Sequence, residues 1–228
     1  MGTRFSYEVP LAHLKDFDPY QDLYFALSFL CDDPYYLNFI KNRSKGRLII
    51  LDNSFNELGV PSTPNKMARL FNELNADMVV SPDCDGWSLE QLRESYKEMI
   101  SLVPKRKVLV VVKSREERDM FLDEGVFYYC TTYGQRARLP LHLLTLCYHF
   151  LGLLSPGEIK RFNPISCDTS QPLKLALQGK TMEDWVKEGC PHTKTTPAFF
   201  DLTFTKEELE LAKRNCEWIK NNLAMNAL

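Results

Sequence analysis

The sequence predicts an α/β fold, a single (β/α)8 barrel of the TIM type spanning residues 1–228. Three observations carry this expectation. Apolar runs recur roughly every 15 to 30 residues, the rhythm of βα units. Several runs, such as LIIL at 48–51 and VLVVV at 108–112, are continuous, as in strands covered on both faces. The stretches between them carry helix-start signals. The rival, a doubly wound open sheet, lacks its Gly-rich fingerprint after the first strand, where the chain reads VPLAHLKDF. The 228 residues are slightly fewer than the roughly 250 typical of such barrels, yet within their range.

Eight strands are expected, at 5–10, 23–29, 47–52, 78–82, 108–113, 127–131, 150–154 and 165–168. After the third strand, Thr63 supplies an N-cap and Pro64 a first-turn proline. Met67, Leu70, Phe71 and Leu74 then form one apolar stripe. Ser88 with Gln91 makes a capping box ahead of Leu92, Tyr96, Met99 and Ile100. Ser114 with Glu117 makes another, and Gly125 is placed to end that helix. Further helices are expected at about 33–43, 138–148, 156–162 and 172–178. Residues 180–204 lack periodicity and read as an irregular excursion. A last helix is expected at about 205–222, with Leu209, Ala212, Cys216 and Ile219 on one stripe.

Composition narrows the function. Hydrophobic residues make up 44% and charged residues 25%, ordinary globular values that exclude a low-complexity chain. Lys and Arg total 28 against 30 Asp and Glu, so the net charge of −2 argues against coating nucleic acid by bulk charge. Local patches remain, at Lys41, Arg43, Lys45 and Arg47, at 105–107, and at Arg136, Arg138, Lys160 and Arg161; the simpler reading of each is solvated surface. No run approaches the roughly 18 apolar residues of a membrane span, and the N-terminus has no apolar leader, so a cytoplasmic protein is expected. The seven cysteines are scattered without a CxxC pair, as in a reduced chain that packs its thiols.

In a barrel, chemistry gathers at the C-terminal strand ends. Strand three ends in Asp52 and Asn53, strand four in Asp83 and Asp85, and strand five in Lys113. Strand six ends near Tyr133 and Gly134, and strand eight in Asp168. Asp and Asn are common turn residues, so any one of them is ambiguous. Three of these ends carry aspartates; carboxylates at one mouth repel one another, and their retention suggests work. Such carboxylates can divide nucleophilic and acid/base roles, or hold Mg²⁺. His142 and His149 are read as structural, because no carboxylate at metal spacing accompanies them. Cys190 and His192 do not make a zinc site, so no structural metal and no cofactor are expected.

The segment LGLLSPGEIKRFNPISCDTSQP resembles the tRNA-guanine transglycosylase pattern, in which a glycine-bearing strand enters a Pro-Glu helix start and the next strand ends in an aspartate followed by proline. LDNSFNELG is similar to that family's Asp-Ser-Gly-Gly-Phe strand end, with Asn53 intervening and the glycines absent. The resemblance spans roughly residues 45–175 and is closest to the short, phage-associated members that insert 7-deazaguanines into DNA. It implies a pentosyltransferase that replaces guanine with a 7-deazaguanine in nucleic acid, DNA favoured over tRNA. Asp168 would be the nucleophile, Asp52 the general acid/base and Asp83 the reader of the guanine edge. Asn53, Lys113, Tyr133 and Gly134 would complete the substrate site. The zinc-binding insertion of the tRNA-acting members is missing. Alternative readings are an N-glycoside hydrolase using the same aspartates and a non-catalytic binding barrel.

Overall fold

A computed structural model describes residues 2–42, 46–126, 128–136, 139, 147–192 and 194–224. The expected helix at 138–148, with His142 and Arg138, lies almost wholly outside these residues, as do Arg43, Lys45 and Phe127. The strands are β1 (Arg4–Tyr7), β2 (Leu23–Leu27), β3 (Leu48–Asp52), β4 (Met78–Val80), β5 (Val108–Val111), β6 (Tyr129–Thr132), β7 (His149–Leu151) and β8 (Ser166–Thr169). They form one eight-stranded sheet in the order β1-β8-β7-β6-β5-β4-β3-β2, with parallel pairing, and the fold is a (β/α)8 barrel. Each strand lies where the sequence predicts one, its ends shifted by at most three residues.

The helices are α1 (Leu14–Phe17), α2 (Pro34–Lys41), α3 (Phe55–Leu58), α4 (Pro64–Leu74), α5 (Leu89–Leu102), α6 (Arg115–Asp123), α7 (Tyr133–Arg136), α8 (Pro156–Phe162), α9 (Gln171–Ala176), α10 (Met182–Lys187) and α11 (Lys206–Ile219). Among the described residues, no helix is long and apolar enough to cross a membrane.

The chain divides into two compact units, one of Leu23–Tyr148 and one of Met1–Asp22 with His149–Leu228. In the first, β2 to β5 bury almost every side chain, and Ile49, Leu51, Val79, Val80 and Leu109 are sealed from solvent. The helix starts are built by the expected caps. Thr63 Oγ1 accepts from the Lys66 amide, and Ser88 and Gln91 close a reciprocal box. At Ser114 half of the expected box forms: Ser114 Oγ accepts from the Glu117 amide, while Glu117 Oε2 accepts from the Lys113 amide in place of Ser114's. Arg136, expected in a basic surface patch, is instead buried and donates to the Thr131 carbonyl at 2.9 Å.

In the second unit, β1 pairs with β8 in register, Ser6 opposite Asp168. On its other side β1 is closed by the 21–22 segment. The Gln21 side chain accepts from the Tyr7 amide at 2.7 Å and donates to the Tyr7 carbonyl at 2.9 Å, imitating a strand peptide. The stretch 180–204, read from the sequence as irregular, contains α10. Thr181 and Asp184 cap that helix, and Trp185 is sealed in the core with its Nε1 donating to the Pro191 carbonyl at 2.8 Å. Asn215 on α11 ties the region down. It donates to the carbonyls of Pro172 and Lys180 and accepts from the Met182 amide. The last helix ends at Ile219, followed by a π-helical turn over Lys220–Ala224.

Candidate functional site

Within the unit Leu23–Tyr148, the C-terminal ends of β3, β4 and β5 carry Asp52 and Asn53, Asp83 and Asp85, and Lys113. Each arrives there for a local reason. Asp52 is the last residue of β3, and its Oδ2 accepts from the Ser54 amide at 2.7 Å, closing a turn in which Ser54 adopts the left-handed conformation. Ser54 Oγ in turn bonds Ser28 Oγ, which also meets Ser62 Oγ at 2.8 Å. After β4 the chain makes a turn through Asp83, Cys84, Asp85 and Gly86, with the Trp87 amide donating to the Cys84 carbonyl. Gly86 takes a φ of +85°, where a Cβ would be strained. Ser95 on α5 holds the turn's start by donating to the Pro82 carbonyl at 2.8 Å. Lys113 sits between β5 and the Ser114 cap of α6, and its amide donates to Glu117 Oε2 at 2.6 Å.

Asn53 is the hub. Its Nδ2 donates to the Ser81 carbonyl at 3.0 Å and to Asp83 Oδ1 at 2.8 Å, and its Oδ1 accepts from the Phe55 amide. Lys113 Nζ lies 2.7 Å from Asp83 Oδ2 and 2.7 Å from Asp85 Oδ1, and 5.2 Å from the Phe55 ring centre. The two carboxylates differ in setting: the Asp83 side chain is 8% exposed and that of Asp85 73% exposed. Burial pushes the Asp83 carboxyl above its ordinary pKa, against the opposing pull of Lys113 and Asn53. Burial alone would lower Lys113, but Asp83 and Asp85 outweigh it and hold the ammonium above its ordinary value. Glu117 is raised by burial, with the Lys113 amide and ammonium opposing. The chemical content is a firmly protonated ammonium shared by one fixed and one solvent-facing carboxylate.

Tyr133 and Gly134 open α7 directly after β6, and Gly134 is exposed; the side chain of Tyr133 falls outside the described residues.

In the other unit, Asp168 lies near the end of β8. Alternation along the strand puts Ser166 and Asp168 on one face. His149 opposes Ser166 across the β7–β8 pair, and its ring meets both: Nδ1 lies 2.7 Å from Ser166 Oγ and Nε2 lies 2.9 Å from Asp168 Oδ1. The Gly152 amide donates to the same Oδ1 at 3.1 Å. An ionised carboxylate only accepts, so Nε2 carries the proton, and in the neutral ring Nδ1 accepts from the Ser166 hydroxyl. All three side chains are buried. The sequence reading placed His149 with the structural histidines and missed its bond to Asp168. The available signal was parity, since a histidine opening a strand can face alternate residues of the next one.

Among the described residues, no three His, Cys, Asp or Glu side chains are grouped to hold a metal ion.

Fold and site together define a barrel protein with charged strand ends, and solved structures share that fold. The chain is similar to a Ruminococcus gnavus sialic acid aldolase, at 10% identity and a TM-score of 0.50, over 93% of this chain and 90% of that one. It is similar to a phosphoenolpyruvate phosphomutase from Streptomyces platensis subsp. rosaceus, at 11% identity and a TM-score of 0.50, over 97% and 93%. It is also similar to KGPDC from Streptococcus mutans, at 9% identity and a TM-score of 0.50, over 96% and 99%. At such identities the likeness shows the fold alone. No family model and no curated protein matches the chain.

These findings correct the family expectation. The fold relatives are an aldolase, a phosphomutase and KGPDC, and the transglycosylase resemblance finds no family match. Base exchange, the pentosyltransferase class and nucleic acid or a 7-deazaguanine as partner fall with it, as does N-glycoside hydrolysis. The physical reason lies in the motifs themselves. Glycines, prolines and aspartates at strand ends are what any barrel places there to turn the chain.

Proposed function

We propose that the protein is a barrel enzyme acting on a small carbonyl-bearing acid, with the Lys113 ammonium as the group that receives the substrate's carbonyl oxygen. The observation that carries this reading is the placement of Lys113 Nζ at 2.7 Å from both Asp83 and Asp85, at the C-terminal ends of parallel strands. An ammonium in that setting stabilises negative charge that develops on oxygen when a neighbouring C–H or C–C bond gives up its electrons. The two aspartates keep the lysine protonated. It therefore works as a hydrogen-bond and proton donor, and not as a free amine that forms an imine. Asn53 fixes Asp83, and Asp83 fixes Lys113. Asp52, within the same unit, is the further carboxylate proposed for this site. Asp168 is proposed separately, as an acceptor oriented by His149 and Gly152 within its own unit. The names of the fold relatives, sialic acid aldolase and phosphoenolpyruvate phosphomutase, support small acids as the substrate class.

The test is a panel of small oxo acids and sugar acids incubated with the protein in D2O and followed by proton NMR. At least one compound is expected to lose a C–H signal beside its carbonyl, or to split at the adjacent C–C bond. A panel returned wholly unchanged contradicts the reading.

A further inference from the structure

We propose that Asp85 occupies the place of the substrate's acid-group oxygen on Lys113, beside the third N–H that is left for the carbonyl oxygen, and leaves when the substrate binds. This rests on the reading of Lys113 as the substrate-receiving group. An ammonium has three N–H donors. One goes to Asp83 Oδ2, whose partner oxygen is held by Asn53. That carboxylate is buried, so removing its counter-charge is costly. A second goes to Asp85 Oδ1, whose side chain stands 73% exposed. Solvent-facing ion pairs contribute little net stability, because water replaces them readily.

Two features of the turn allow the exchange. Gly86 follows Asp85, and beyond its chain neighbours none of the described residues lies within 4 Å of where its Cβ would stand, so the turn has open space beside it. Among the described residues, Asp85 is held beyond Lys113 by one weak local contact, a Cys84 Sγ–H donating to its carbonyl at 3.5 Å. Charge then dictates the order of events. Lys113, Asp83 and Asp85 together carry one net negative charge, and an arriving carboxylate would add a second beside a single ammonium. If Asp85 swings into solvent as the ligand oxygen arrives, the charge around Lys113 is unchanged. The exchange selects ligands that present an oxyanion, and it leaves neutral molecules competing with Asp85 at a disadvantage.

The experiment is calorimetric titration of wild type, Asp85→Ala, Asp85→Asn and Lys113→Met with two probes, oxalate and inorganic phosphate, at low salt. Circular dichroism checks that each variant is folded. Asp85→Ala is expected to bind at least one probe about tenfold more tightly than wild type, and Asp85→Asn to fall between them. The stronger probe shows whether the site takes a carboxylate or a phosphate. Lys113→Met is expected to lose the binding. Equal affinity in wild type and Asp85→Ala, or none in Asp85→Ala, overturns the exchange. Probe binding that survives in a folded Lys113→Met places the anion elsewhere and overturns the reading of Lys113 itself. Deuterium exchange retained by a wild type whose probe affinity ignores Asp85 leaves that reading standing and removes only this inference.

Discussion

Replacing Lys113 by Met removes the charge while keeping most of the side chain's volume. Asp83 then keeps the Asn53 bond on Oδ1 but loses the ammonium on Oδ2. Breaking a buried ion pair from one side costs about 3–5 kcal/mol, because a charge is left without compensation. Asn53 remains, and solvent reaches the lysine from the Asp85 side, which lowers the expectation to about 2–3 kcal/mol at pH 8. The cost depends on pH in a definite sense. Burial already raises Asp83, and without Lys113 it rises further above its unfolded value. A carboxyl raised on folding contributes stability below its unfolded pKa and loses it as pH rises through the folded value. The gap between wild type and Lys113→Met should therefore be small near pH 4 and widen towards pH 8. Urea unfolding followed by tryptophan fluorescence measures it at each pH. A gap below about 0.5 kcal/mol at pH 8, or one that does not change with pH, refutes a buried Asp83 that depends on Lys113.

Two further outcomes are expected. His149→Ala leaves Ser166 and Asp168 buried without the ring between them and should destabilise the protein by about 2–4 kcal/mol, with His149→Gln recovering part of the loss; equal stability by thermal unfolding would remove the ring's role in holding Asp168. Borohydride added with an oxo acid should leave Lys113 unmodified in peptide mass spectra, because its amine is kept protonated; a reduced adduct on Lys113 would mean imine chemistry.

The strands were legible because a strand covered on both faces must be apolar throughout, and 48–51 and 108–112 are. Thr63, Ser88 and Ser114 were legible as N-caps because capping acts over three residues. Helix α10 was not, since six residues hold too few positions to display a 3.6-residue period, although Thr181 and Asp184 stood at capping spacing. Asp83, Asp85 and Lys113 were each marked as strand-end candidates. Their union was invisible, because Asp85 lies 28 residues from Lys113 and the two meet only when β4 and β5 pair. The family reading failed at the same level. It matched single turns, and a turn's residues report how the chain reverses, with no statement of which side chains meet beyond it.

If Lys113, held by Asp83 and Asp85, donates to the developing oxyanion, the rate of deuterium exchange into an oxo acid depends on it. Wild type and Lys113→Met are compared by proton NMR at one pH where both are folded. The exchange seen with wild type is expected to fall by at least about a hundredfold in Lys113→Met, since removing one donor to a developing oxyanion costs about that much. Exchange within a few-fold of wild type in the folded variant would contradict it.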